Sequence, residues 1–261
     1  MGRSILFSLL QTAAIWQLFV PSNGQLYAQE SKESLTVAYK LFVNQTPALE
    51  CDAELRYSGN IAVFYWHDNE QESRMESEGG MLTLHLRDTD PVGTINTLYL
   101  GEDRMTTRGS LFNEAYQLSE PLPEQHWTLG SATKRLGGLL LNQATTVFRG
   151  RTYTAWYAPD IPYPIGPWKL HGLPGIILEA YDDEGYFQAT FTTVLRGEES
   201  VLPPDLDFLP AKKMDLEAYQ KLQQDMAQEL VQRIRAKLPR GTHLSVQETV
   251  TDFLERSFKK P

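Results

Sequence analysis

Cysteine is almost missing from this chain. Cys51 is the only one among 261 residues, so no internal disulfide can staple the fold. A lone cysteine is expected to serve here as a small buried apolar side chain, since a nucleophile would need a nearby base and partial exposure. Basic residues are also short, with 24 Lys and Arg against 33 Asp and Glu for a net charge of −9. That balance argues against a general nucleic-acid surface. The histidines His67, His85, His126, His171 and His243 are all far apart in the chain. No HExxH or cysteine-rich spacing occurs, so no metal ligand set is spelled out. There is no GxSxG elbow, phosphate loop or dinucleotide fingerprint either, and no cofactor is implied.

The longest apolar run is confined to the N-terminus. Arg3 gives a short positive start, Ile5–Val20 is mainly apolar, and Pro21, Ser22, Asn23 and Gly24 end the run. Small residues at Gly24 and Ala28 complete the layout of a secretory signal peptide over residues 1–28, cleaved after Ala28 or after Gly24. The run carries internal glutamines and is short for a membrane span. No cysteine adjoins the cleavage site for lipid attachment. The expectation is an exported protein, periplasmic or associated with the outer membrane. It would be no lipoprotein, would keep no transmembrane span after cleavage, and would fold residues 29–261 as a single β-rich domain.

What the body does contain is period-two alternation. Leu35, Val37, Tyr39, Leu41 and Val43 fall on one face of a strand, and Leu82, Leu84 and Leu86 alternate with polar residues. Ile61–Trp66, Ile95–Leu100, Arg104–Arg108, His126–Leu129 and Leu139–Arg149 continue the pattern. Ser58-Gly59-Asn60 is suited to close one hairpin, and Asp182-Asp183-Glu184-Gly185 another, between Ile176–Tyr181 and Tyr186–Leu195. On that last arm Phe187, Ala189, Phe191 and Leu195 are predicted to point one way. Short loops between consecutive strands imply antiparallel pairing. One long helix breaks the pattern: Asp215 as N-cap, then Leu216, Tyr219, Leu222, Met226, Leu230, Ile234 and Leu238 at helical spacing. The predicted class is therefore mainly β with one long helix (α+β). A curved antiparallel sheet would form an open or half barrel, with the helix Asp215–Leu238 packed on its concave face.

The densest stretch is Phe148–Ala180. Prolines at 159, 162, 164 and 167 deny it ladder donors, so residues 159–174 are predicted to form an extended strap. Pro174-Gly175 suits the centre of a type II turn, with positive φ at Gly175, while Gly172 allows close backbone approach. Gly172, Pro174 and Gly175 are thus assigned a structural corner. Arg149 and Arg151, two apart, are predicted to share one face of a strand. One reading makes Arg149, Arg151, Trp156, Tyr163, Trp168 and His171 a cationic, aromatic-lined mouth for an anionic or amphiphilic ligand. The other pairs the arginines with internal carboxylates such as Asp160 or Glu179 to pin the strap. The acidic run Asp182-Asp183-Glu184 reads as a solvated hairpin tip.

Gly172-Leu173-Pro174-Gly175-Ile176-Ile177 resembles the hexapeptide of the GLPGLI family of exported bacterial proteins, with isoleucine for its second leucine. Phe148-Arg149-Gly150-Arg151, Ala155-Trp156-Tyr157, Asp160-Ile161-Pro162 and Gly166-Pro167 resemble the same family in fixed order. Its members often carry a cysteine shortly before the arginine pair, where this chain has Gly138-Leu139-Leu140-Leu141. The resemblance implies an envelope protein of unsettled activity. The leading expectation is a non-enzymatic binding or accessory protein for an amphiphilic ligand: a lipid, a peptide or a segment of an outer-membrane protein. Two other classes are a hydrolase-type enzyme using the 149–171 block, with His171 or Asp160 as acid-base, and a structural accessory of an envelope transporter or secretion machine.

Overall fold

The structure is a computed structural model, and it describes residues 34–44, 48–67, 74–78, 81–85, 92–111, 114–197 and 210–219, with residues 221, 222, 225, 232, 236 and 255. The predicted signal peptide and most of the region after Tyr219 lie outside the described residues. Among the described residues the strands run in chain order β1 (Ser34–Val43), β2 (Leu49–Ser58), β3 (Ile61–Trp66), β4 (Arg74–Glu78), β5 (Met81–His85), β6 (Thr94–Tyr99), β7 (Arg104–Leu111), β8 (Glu114–Pro121), β9 (Thr128–Leu136), β10 (Leu139–Phe148), β11 (Arg151–Ala158), β12 (Ile176–Asp182) and β13 (Phe187–Gly197), with a short β14 (Lys212–Met214) last. Twelve form one open sheet in the order β14-β8-β7-β6-β3-β2-β1-β13-β12-β11-β10-β9, and β4-β5 pair separately.

The chain walks outward from the centre through β1 to β8, crosses at Leu122–Trp127, and walks back from β9 to β13 beside β1. All neighbours in the large sheet are antiparallel except β14 on β8. In a flat sheet β8 and β9 would lie nearly 50 Å apart at about 4.8 Å per strand. The short crossing segment reaches about 25 Å at most. The sheet must therefore curl, which brings the two wings toward each other.

Tight turns set the hairpin registers. Gly59-Asn60, Gly137-Gly138 and Arg149-Gly150 each place two consecutive residues at positive φ, the signature of type I′ turns that match strand twist. Arg149 is one of them (φ 52°), so it belongs to a turn and not to the strand on which it was predicted to share a face with Arg151. A bulge shifts the β1–β13 register at Ala38/Tyr39, pairing Tyr39 with Phe191 but Ala38 with Thr193. A one-residue slip flips every later side chain. Val194 consequently packs on the core and Leu195 is 61% exposed, which corrects the predicted inward set.

The strap is core. Ala158-Pro159-Asp160-Ile161 turns with Ile161 N donating to Ala158 O at 3.1 Å, and proline suits its second position. Tyr163 N then donates to Ile161 O and Ile165 N to Tyr163 O, both at 2.8 Å. These are two consecutive γ-turns, each with a proline at the centre where its fixed φ fits. The zigzag puts Pro162 and Pro164 in solvent and Ile161 and Ile165 inside. Ile161, Ile165, Trp168, Leu170 and Leu173 are buried in the same cluster as Tyr39, Tyr153, Ile177 and Phe187. Tyr39 Oη, on β1, donates to Ile177 O at 2.7 Å across this core, and burial pushes its phenol well above the usual range. Cys51 sits in the cluster as a buried small side chain.

The α+β prediction is overturned. The described residues are 65% strand and 6% helix, with no helix of seven or more residues. Asp215 does cap a helical start, its Oδ1 accepting from Ala218 N at 2.7 Å. Yet Leu216, Tyr219 and Leu222 are only half-buried, and the rest of the apolar stripe lies outside the described residues. Among the described residues it is the strap that packs in the core the helix Asp215–Leu238 was expected to cover.

The corner at Gly172–Gly175 exchanges the roles predicted for its glycines. Positive φ falls on Gly172 (φ 90°), so Pro174-Gly175 does not form a type II turn. Gly175 is the point of close approach, where a Cβ would lie 2.3 Å from Ala158 O and 2.7 Å from its carbonyl carbon. Two backbone atoms cannot yield as a side chain would. Gly175→Ala is expected to cost roughly 1–3 kcal/mol in urea unfolding, whereas Gly101→Ala, which meets nothing within 4 Å, should change stability by less than about 0.5 kcal/mol.

Candidate functional site

The six residues singled out from the sequence do not converge on one mouth. Arg151 opens β11 on its inward face and is fully buried. Its Nη1 donates to Asp182 Oδ2 at 2.8 Å, with Glu184 Oε2 at 3.5 Å, and its guanidinium stacks 3.9 Å from the Tyr186 ring centroid. Asp182 is not at a solvated tip. It is buried, and its other oxygen accepts from Tyr186 N at 2.7 Å and Phe187 N at 2.8 Å. The internal-carboxylate reading of Arg151 thus describes this geometry, with Asp182 as partner in place of Asp160 or Glu179. Asp160 is an exposed turn residue, and Glu179 bonds Lys134 Nζ at 2.6 Å.

Trp168 is buried among Phe148, Tyr153 and Phe187, with ring centroids 5.5 to 5.9 Å away. Tyr163 packs on Tyr57 of β2 at 4.8 Å. Trp156 lies on the opposite face of β11, under Lys134 Nζ at 4.3 Å. His171 is clamped by the crossing segment. Its backbone N donates to Gln125 Oε1 at 3.1 Å, its carbonyl accepts from Trp127 Nε1 at 2.7 Å, and its Nδ1 lies 2.9 Å from Lys169 O. Burial holds the imidazole below the usual histidine range, and the carbonyls of Lys169 and Pro123 offset only part of that.

The group that does assemble is built around Arg149 and a residue the sequence reading passed over, Lys169. Both cations are buried, with side chains 7% and 1% exposed. Glu120, at the end of β8, bonds Arg149 Nη2 through Oε2 and Lys169 Nζ through Oε1, the latter at 3.3 Å. Glu255 Oε1 accepts from Lys169 Nζ, and its Oε2 lies 3.7 Å from Arg149 Nε. The Arg149 guanidinium lies 5.3 Å from the Phe148 ring, which packs on the buried Trp168. Trp168 has positive φ (56°), as has Arg149. Left-handed backbone at bulky residues is strained and concentrates at functional sites.

Residues 147–179 match the family described as a protein of unknown function (Porph_ging). That is the GLPGLI family, and the match covers this turn, β11, the strap and the start of β12. No curated protein matches the chain. Among solved structures the fold is similar to that of PNGF-II in its C2 crystal form, at 15% identity and a TM-score of 0.51, over 72% of this chain and 32% of that one. The P21 form gives 14% identity and a TM-score of 0.49 over the same shares. The chain spans about a third of the length of PNGF-II, and the likeness is one of fold alone.

Neither Lys169 nor Glu120 carried a signal in the sequence, because a lone charge near a proline run reads as solvated surface. Asp182 was hidden by its acidic neighbours. Among the described residues no group of three or more His, Cys, Asp or Glu is placed to hold a metal ion.

Two measurements follow from these environments. Removing one partner of a fully buried pair leaves an uncompensated charge, so Arg151→Ala is expected to destabilise by about 3–5 kcal/mol in urea unfolding. For His171, the free imidazole ionises near pH 6.5 and the native one lower. Below about pH 6.5 the unfolded chain binds the proton first, so stability falls with pH until the native value is passed. His171→Gln is expected to lose less stability than the wild type between about pH 7.5 and about pH 5. Equal losses would contradict the assignment.

Proposed function

We propose that the protein is an exported, non-enzymatic binding protein of the cell envelope that takes an amphiphile with a carboxylate head group. The observation that carries this reading is the juxtaposition of two buried cations, Arg149 and Lys169, with the Phe148 ring 5.3 Å from the Arg149 guanidinium. A guanidinium and an ammonium in a nearly dry setting hold a carboxylate far more firmly than exposed charges do. The Phe148 ring beside Arg149 supplies an apolar contact for the attached chain. Binding in place of catalysis is supported by how the candidate acid-base groups are used. Asp160 is exposed in a turn, and His171 is held by Gln125, Trp127 and the Lys169 carbonyl. Export rests on the signal-like layout of residues 1–28.

Tryptophan fluorescence is suited to the test, because Trp168 directly precedes Lys169 in the chain. Titration with dodecanoate is expected to saturate, and dodecyl maltoside, with the same tail and a neutral head, should bind at least about tenfold more weakly. Lys169→Met, which keeps most of the side-chain volume, should remove the preference for dodecanoate. Equal affinity for both amphiphiles, or no saturable binding of either, would contradict the proposal.

A further inference from the structure

We propose that Gln125 and His171 form a proton-operated clip, which holds the crossing segment Leu122–Trp127 to the strap while His171 is neutral and lets Gln125 go when the ring gains a proton. This device is independent of the carboxylate site.

The contacts converge on one side-chain amide. Gln125 Oε1 accepts from His171 N at 3.1 Å, and Gln125 Nε2 lies 2.8 Å from Lys169 O and 3.1 Å from His171 Nδ1. A backbone N–H can only donate, so it fixes which end of the amide faces it. The Nε2 end then has two hydrogens to place, one on Lys169 O and one on His171 Nδ1. Both are satisfied only when Nδ1 is a bare acceptor, which puts the ring's single proton on its Nε2. The Pro123 carbonyl is the ring's second backbone acceptor. The opposite tautomer would set an Nδ1 hydrogen against a Gln125 hydrogen, with Lys169 O, 2.9 Å from Nδ1, claimed by both.

A second ring proton creates the same conflict. Imidazolium carries hydrogens on both nitrogens, so Nδ1 stops accepting and faces a donor. Turning the Gln125 amide over gives no relief, because its nitrogen would then face the His171 N–H. Gln125 must withdraw, and the His171 amide loses its acceptor. Trp127 holds on: its Nε1 donates to His171 O at 2.7 Å, a bond that does not involve the imidazole. Thr146 Oγ1 likewise keeps its bond to His126 O at 2.8 Å. The crossing segment therefore pivots at its Trp127 end.

Neighbouring charges do not set this balance. Lys169 turns its ammonium to Glu120 and Glu255, and Glu124 and His126 of the crossing segment are exposed, 3.7 Å from each other. Burial dominates the ionisation of His171 and holds it below the usual histidine value. Withdrawal of Gln125 opens the ring toward water, which favours the charged form. The open clip thus binds the proton more readily than the closed one, and acid shifts the balance toward release.

Heteronuclear NMR of the wild type reads the tautomer directly. At about pH 7.5 the His171 proton is expected on Nε2, and a proton on Nδ1 would overturn the clip. Between about pH 7.5 and about pH 5.5 the protection factor of the His171 amide should fall at least about threefold, while the Trp127 indole N–H keeps its protection. Unchanged protection of the His171 amide, or equal loss at both sites, would overturn release at Gln125. Gln125→Glu places a carboxylate that still accepts from His171 N and now accepts from a protonated Nδ1. In that variant His171 should titrate at a pH higher by about one or more. A midpoint equal to or below that of the wild type would contradict the part given to Gln125. The two wild-type measurements decide the matter even if Gln125→Glu fails to fold.

Discussion

The inner face of the sheet depends on one close approach. At Gly175 the returning chain passes so near Ala158 that no side chain fits between them. That contact lets β12 pair with β11 directly after seventeen intervening residues, with Ala158 opposite Ile176. The strap is thereby folded back over the core instead of standing away as a loop. Gly166 repeats the device one layer in, where a Cβ would lie 2.7 Å from that of Ile177. Loops are usually excluded from protein interiors because their backbone polar groups go unpaired. This one escapes by bonding to itself and to β12: Ile176 N donates to Ile161 O, Ile177 N to Ile165 O, and Gly172 N to Pro164 O. Its prolines remove donors that would otherwise need partners.

Once the strap is core, the charges at its margins acquire distinct roles. Arg151 and Asp182 lie where β11 and the β12–β13 hairpin meet, and Asp182 organises that hairpin through two backbone amides. This pair is closed, with both side chains at 0% exposure. The group at Arg149 and Lys169 joins four separate parts of the chain through Glu120 and Glu255. A buried ion pair is by itself weak grounds for stability. The two groups differ in reach: Arg151 and Asp182 tie β11 to the adjacent hairpin, whereas Arg149 and Lys169 draw in Glu120 of β8 and the distant Glu255.

Much of the sheet was legible in the sequence. Alternation located β1, β3, β6, β7, β10, β12 and β13, and the Gly-Asn and Asp-Asp-Glu-Gly turns sat where turn chemistry put them. The alternation failed at Leu195 because a bulge is invisible to a period of two. Helical spacing from Leu216 onward was real as a pattern, yet a pattern states which face is apolar and not what covers it. Positive φ was expected at Gly175 and close approach at Gly172, and the two fall the other way round, since both demands select the same residue type. The arginine spacing misled for a related reason: FRGR is a type I′ turn, and the turn, not the strand, aims Arg149. Lys169 and Glu120 were illegible because their meeting depends on the curl of a sheet whose strands lie far apart in sequence.

The central claim is that the proline-rich strap is packed interior. Residue-resolved amide hydrogen exchange of the strap measures this most directly. The account expects Ile161, Ile165, Leu170 and Gly172 to be protected on the scale of the amides in β11 and β12, opening only with the sheet. Exchange of those four amides at the rate of an unprotected surface loop, with the sheet still intact, would contradict it.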